Sequence, residues 1–240
     1  MEIWQETVKF VAYAVALPYC WRIRHDSPRG SRMRMAWTLL GLSAVLAMAR
    51  HSYEIVAEFG NWLLPARSWR QILIVASLLV LTWGLVELGR AFRQVGLAPR
   101  WKRVDWLWLA LLIALSVPVV INRERLGDAA SSIAAMRYLQ FLSFILLAVP
   151  ATIALGLHRI SWEMTGGRWA LALRWMAAFL LLRLVNLCLS TSTEGWTEWL
   201  QWSNTVAPWL FTMAAVERWS VTRAAERMRE QIFVGANKPA

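Results

Sequence analysis

Apolar residues run through the chain in long stretches broken by short, basic connections. Six stretches stand out: Met35–Val56, Ile72–Phe92, Val104–Ile121, Tyr138–Leu157, Trp169–Leu189 and Thr205–Trp219. A helix that spans a bilayer needs roughly 20 mostly apolar residues. The last stretch is short, and Trp199–Asn204 can extend it. Ile3–Tyr19 forms a seventh and weaker candidate, with Glu6 and Lys9 near its start and Pro18 near its end. It does not resemble a cleaved signal peptide, which opens on a positive segment where this chain has Glu2 and Glu6. The pattern predicts an all-α, polytopic membrane bundle of seven transmembrane helices over residues 1–220. A short basic cytoplasmic tail over 221–240 follows. In it, Val221, Ala224, Ala225, Met228 and Ile232 share one helix face, opposite Arg223, Arg227 and Glu230.

Composition strengthens this picture. The 240 residues are 58% hydrophobic and 17% charged, with mean hydropathy +0.41, against about 45–50% apolar and about 25% charged in soluble domains. That excludes a disordered chain, a collagen and a disulfide scaffold, and it argues against a soluble enzyme. The two cysteines, Cys20 and Cys188, are expected in opposite leaflets and so do not pair.

Charge sets the orientation. The net charge is +11, and the basic residues are unevenly shared between alternate connections. Arg22, Arg24, Arg29, Arg32 and Arg34 fall on one side, with Arg90, Arg93, Arg100, Lys102, Arg103, Arg159, Arg168 and the tail arginines. The other side has Lys9, Arg67, Arg70, Arg123, Arg125 and Arg137, and its last connection, 190–204, carries Glu194 and Glu198 and no base. The positive-inside rule then gives N-out, C-in, in a bacterial-type cytoplasmic (inner) membrane. The basic face is expected to meet anionic lipid headgroups, and a protein partner through the inner loops and tail, but not nucleic acid. Many of the 17 tryptophans sit at segment ends (Trp4, Trp21, Trp37, Trp69, Trp101, Trp106, Trp162, Trp169, Trp202 and Trp219), where an aromatic belt belongs.

Candidate chemistry lies inside the spans, because an ionisable group in hydrocarbon is costly and turns toward a bundle interior or a watery cavity. Arg50, Glu54 and Glu58 repeat at i, i+4, i+8, with His51 and Tyr53 beside them. Arg183 and Asn186 lie at matching depth on another helix, Arg50 and Arg183 each roughly 5–6 Å from their helix centres. Gln140, Asn204, Glu6 and Lys9 fall in the same half. The candidate ligand-binding set is therefore Arg50, His51, Glu54, Glu58, Gln140, Arg183 and Asn186, around a polar cavity open to the outer face. The alternative is that these groups only tie helices together. Glu87 beside Arg90, and Glu217 beside Arg218, read as snorkelling at helix ends. Trp196, Trp199 and Trp202 suggest a short interfacial helix.

Several chemistries lack their residues. Bis-histidine haem needs two histidines at one depth, and His25, His51 and His158 are at different levels. The topology resembles the seven-helix retinal proteins, but no lysine lies in the last span. It also resembles the ceramidase-like metal hydrolases, which need a histidine pair there. His51, Glu54 and Glu58 alone are a weak metal set. No Walker loop, nucleophile elbow, HExxH or Asp-rich transferase motif is present, which argues against a catalytic role and leaves an intramembrane enzyme as the last alternative; no cofactor is specified. The favoured reading is a binding or sensory module. In topology alone it resembles the membrane-embedded sensor halves of bacterial signalling proteins. An accessory subunit of a larger membrane complex, and a small transporter or substrate-capture subunit using Arg50 and Arg183, are the alternatives.

Overall fold

A computed structural model describes residues 3–59, 66–97, 132–165, 168–189 and 197–236, together with Arg103, Trp106, Leu107, Ala110 and Ala114. The five single residues are helical, and the continuous stretches form six long helices with no strand among the described residues: α1 (Ile3–Asp26), α2 (Arg32–Phe59), α3 (Ala66–Gln94), α4 (Ser132–Thr165), α5 (Arg168–Leu189) and α6 (Thr197–Ala236). Most of the expected span Val104–Ile121 lies outside the described residues.

Local chemistry sets the boundaries. Ser31 caps α2, its hydroxyl accepting from the Arg34 amide at 3.2 Å. At the end of α3, Gly96 adopts φ 82°. The Leu97 amide reaches back to the Phe92 carbonyl at 2.9 Å and the Gly96 amide to that of Arg93. This paired closure needs a left-handed residue, and glycine takes that conformation without penalty.

The helices close a ring in chain order. Each packs on its sequence neighbour among the six, and α6 returns to pack on α1. Contacts fix the directions. Glu6 near the start of α1 meets His51 near the end of α2, and Arg32 at the start of α2 meets Glu87 near the end of α3, so both pairs are antiparallel. Trp4 lies on Trp202 and Tyr19 on Trp219, so α1 and α6 are parallel. Helices α3 and α4 are parallel neighbours as well: Thr82 reaches the Leu146 carbonyl in mid-bundle. Farther along, Phe92 packs on Trp169 and His158 hydrogen-bonds the Ala170 carbonyl.

Close approach depends on small residues. Ala12, Ala16, Ala36, Ala151, Ala154, Ala207 and Ala215 are completely buried. At Gly84 a β-carbon would stand 3.2 Å from Leu40 and 3.3 Å from the Ala36 carbonyl, so α3 seats tightly against α2 and a side chain there would push Leu40 by a few tenths of an ångström. Small residues of this kind let helix backbones come together when there is little apolar driving force between helices.

The exposed faces are apolar along the middle of the ring. On α1 the outward stripe is Trp4, Thr7, Val11, Val15, Pro18 and Trp21. On α2 it includes Leu42 and Val45, on α3 Leu79 and Trp83, and on α6 Trp202, Val206, Trp209 and Met213. Charged and amide groups instead point inward: Gln5, Glu6, Lys9, Arg50, His51, Glu54, Glu87 and Asn186 are all buried. By length and composition two described helices can cross a membrane, Ile72–Gln94 and Trp169–Asn186. Ile145–Ile160 is a shorter apolar helix.

Three expectations change in the structure. Glu87 does not snorkel: its side chain is 1% exposed, and Arg32 (3.0 Å) and Arg90 (2.5 Å) reach in to it from the surface. A buried carboxylate must be paired, and here it clamps α2 to α3. We expect Glu87→Ala to cost about 1–2 kcal/mol in denaturant unfolding, since the two half-exposed arginines regain water. Trp37 is not at an interface but in the core, 3% exposed. The Trp199–Trp202 run is the first turn of α6 and not a separate interfacial helix, while Trp196 lies outside the described residues.

Candidate functional site

The site begins with helix periodicity. On α1, Glu6, Lys9 and Tyr13 share one face at i, i+3, i+7, and α1 turns that face toward the ring interior. On α2, Ser43, Ala47, Arg50, His51 and Glu54 do the same. Because α1 and α2 are antiparallel, the first turns of one meet the last turns of the other.

An ion-pair layer results. Lys9 Nζ donates to Glu6 Oε1 at 2.5 Å, and His51 Nδ1 hydrogen-bonds Glu6 Oε2 at 2.5 Å. A carboxylate already held by an ammonium is the acceptor, so Nδ1 carries a proton. Arg50 Nε donates to Glu54 Oε1 at 3.0 Å, and Arg70, at the start of α3, brings its Nε to 2.8 Å from the same oxygen. Glu54 Oε2 is buried with no hydrogen-bond partner, 3.9 Å from His51 Nδ1. The layer is dry: the side chains of Glu6, Lys9, His51 and Glu54 are no more than 7% exposed, and that of Arg50 is 11% exposed. Arg70 is 41% exposed.

Beneath this layer, toward the middle of the ring, is a cavity of about 30 Å³. Five helices line it: Tyr13 from α1; Ser43, Ala47, Arg50 and His51 from α2; Ser77, Leu78 and Leu81 from α3; Phe179 and Arg183 from α5; and Phe211 from α6. Its aromatic walls pack on one another. Phe211 packs against both Tyr13 and Phe179 with centroids 5.9 and 5.7 Å away, and Tyr13 stacks on the His51 ring at 18°. A void of this size holds a few waters, since one water needs about 10–15 Å³.

Of the residues expected at a site, Arg50, His51 and Arg183 line the cavity, and Glu54 holds Arg50 in place. Glu58 is exposed and does not line it, because one further turn carries the stripe out of the ring. Asn186 goes elsewhere: it donates to Asn204 Oδ1 at 3.1 Å and accepts from Ser203 Oγ at 2.6 Å, tying α5 to α6. Gln140 belongs to α4, and its side chain lies outside the described residues. Tyr13, Arg70 and Phe211 were not read from the sequence. Tyr13 had a signal, its i+7 spacing from Glu6. Arg70 had none, because a base at a segment end reads as a loop charge.

Glu6, His51 and Glu54 present ligand atoms within 4.8 Å of one another. A divalent ion there would have to displace Lys9 from Glu6 and Arg50 from Glu54, with those cations still beside it. The trio reads better as the acceptors of a hydrogen-bonded ion-pair network.

Compared with known proteins, the chain matches no family model, no curated protein and no solved structure.

Proposed function

We propose that this is a seven-span protein of a bacterial-type cytoplasmic membrane, N-out and C-in. It acts as a binding or sensory module whose interior cavity takes a small polar ligand and whose basic inner face meets a cytosolic partner. The observation that carries the binding reading is the cavity itself, with Arg50, His51 and Arg183 converging on it from two helices. Tying helices together requires charges that pair with each other; it does not require space beside them.

Other features support the membrane reading. Apolar exposed midsections around buried charges invert the arrangement of a soluble bundle. Parallel packing of α3 and α4 calls for a return crossing between them, which Val104–Ile121 suits in length. At the end expected inside, arginines lie over indole rings: Arg22 and Arg223 over Trp219, and Arg218 over Trp169 at 3.8 Å. This is the form of an interfacial belt.

The test is mild-detergent purification of the tagged chain from its native membrane, with mass spectrometry of everything that co-elutes. A small molecule or ion held by the wild type and lost from Arg183→Ala supports the module. A chain that carries no ligand and always arrives with stoichiometric membrane subunits is an accessory subunit instead.

A further inference from the structure

We propose that the cavity is an anion site, and that its occupant is a halide-sized monoanion held by Arg183, Arg50 and the Tyr13 hydroxyl. The proposal rests on the binding reading above and names the ligand class for it.

Among the described residues, charge around the cavity does not balance. Lys9 is held by Glu6 and Arg50 by Glu54, each pair within 3.0 Å. His51 donates Nδ1–H to Glu6; as a neutral imidazole it adds no charge, and as an imidazolium it would only enlarge the excess. Arg70 shares Glu54 but is 41% exposed and keeps access to the surface. Arg183 is left over: no described carboxylate pairs with it, and it faces the cavity. A guanidinium keeps its charge in any protein interior. Arg183 is partly buried, and a guanidinium with no counter-charge in a confined space is costly. One monovalent anion in the cavity removes the imbalance, whereas a divalent cation at Glu6, His51 and Glu54 deepens it.

Geometry and size narrow the anion. Arg50 spends Nε on Glu54 and also lines the cavity, with its terminal nitrogens still available as donors. The buried Tyr13 side chain also lines the void and has no hydrogen-bond partner among the described residues. Water satisfies such donors but not the charge. With about 30 Å³ of free space, there is room for two or three waters or for one small monoanion. A carboxylic acid with a side chain, or a nucleotide, does not fit.

The experiment uses the full chain in detergent, prepared in sodium gluconate, whose anion is too large to enter. Sodium chloride or bromide is then exchanged in at constant ionic strength. Intrinsic tryptophan fluorescence follows thermal unfolding, and equilibrium dialysis with radiolabelled chloride measures stoichiometry without any variant. The expected result is one chloride per chain and a rise in Tm of roughly 3–6 °C at ten times the dissociation constant. Arg183→Gln removes both, and Arg183→Lys keeps binding but shifts it to higher chloride. If halides do nothing while formate or nitrate stabilise the wild type and not Arg183→Gln, the halide assignment falls and the binding cavity stands. If the wild type binds no anion and its Tm ignores all of them, the anion site is wrong. The co-purification experiment then decides the binding reading separately.

Discussion

Glu54→Gln is expected to lower the unfolding free energy by about 3–5 kcal/mol, the usual cost of removing one partner of a buried ion pair. Glutamine keeps the shape and one acceptor but no charge, so Arg50 is stranded in a side-chain environment only 11% exposed. Arg70 contributes little to the loss because it can turn to the surface. In a chain of this length the change corresponds to a Tm about 6–20 °C lower, read by tryptophan fluorescence in a halide-free buffer. The companion is Arg50→Met with Glu54→Leu, which removes the pair together. Replacing both charges by apolar groups is often neutral, so the double variant should recover to within about 1–2 kcal/mol of wild type. A double variant as unstable as Glu54→Gln would mean that the layer is held by geometry and not by charge pairing.

Phe211→Ala is the second large effect, with an expected loss of about 3–5 kcal/mol. Phe211 is 1% exposed and touches aromatic rings on two other helices. It therefore joins α6 to α1 and α5 across the ring, and its truncation removes that contact and leaves a void that rigid neighbours cannot fill. Phe211→Leu keeps most of the volume and should cost under about 1.5 kcal/mol. Denaturant unfolding of the three proteins side by side checks this. Equal losses for alanine and leucine would show that ring geometry matters more than filled volume. The same truncation enlarges the cavity beside Arg183, so it also relaxes the size limit on what can enter.

The sequence alone determined that the chain is helical, where most helices run, and which charges are out of place. Glu6, Lys9, Arg50, Glu54 and Arg183 are conspicuous because each interrupts an apolar run. A charge in such a run is expected to turn inward, and the burial of Glu6, Lys9, Arg50 and Glu54 followed from the pattern, whereas Arg183 is only partly buried and lacks a described carboxylate partner. Helix spacing also set the faces: Glu6 with Lys9, and Arg50 with Glu54, are one turn apart and pair wherever the helices lie.

Tertiary structure decided who meets whom between helices. Periodicity fixes a side chain's direction around its own axis but carries no information on the neighbour it will face. That neighbour depends on the ring order, which is set by the summed packing of whole faces. Small residues such as Ala12, Ala16 and Gly84 allow those faces to approach closely. So His51 reaching Glu6 45 residues away, Arg70 folding in on Glu54, and Asn186 leaving the cavity for Ser203 could not be read from spacing. Glu87 and Trp37 show the same limit at helix ends. A long amphipathic side chain there can turn to the interface or to the core with similar local cost, and only the presence of Arg32 across the α2–α3 contact sends Glu87 inward.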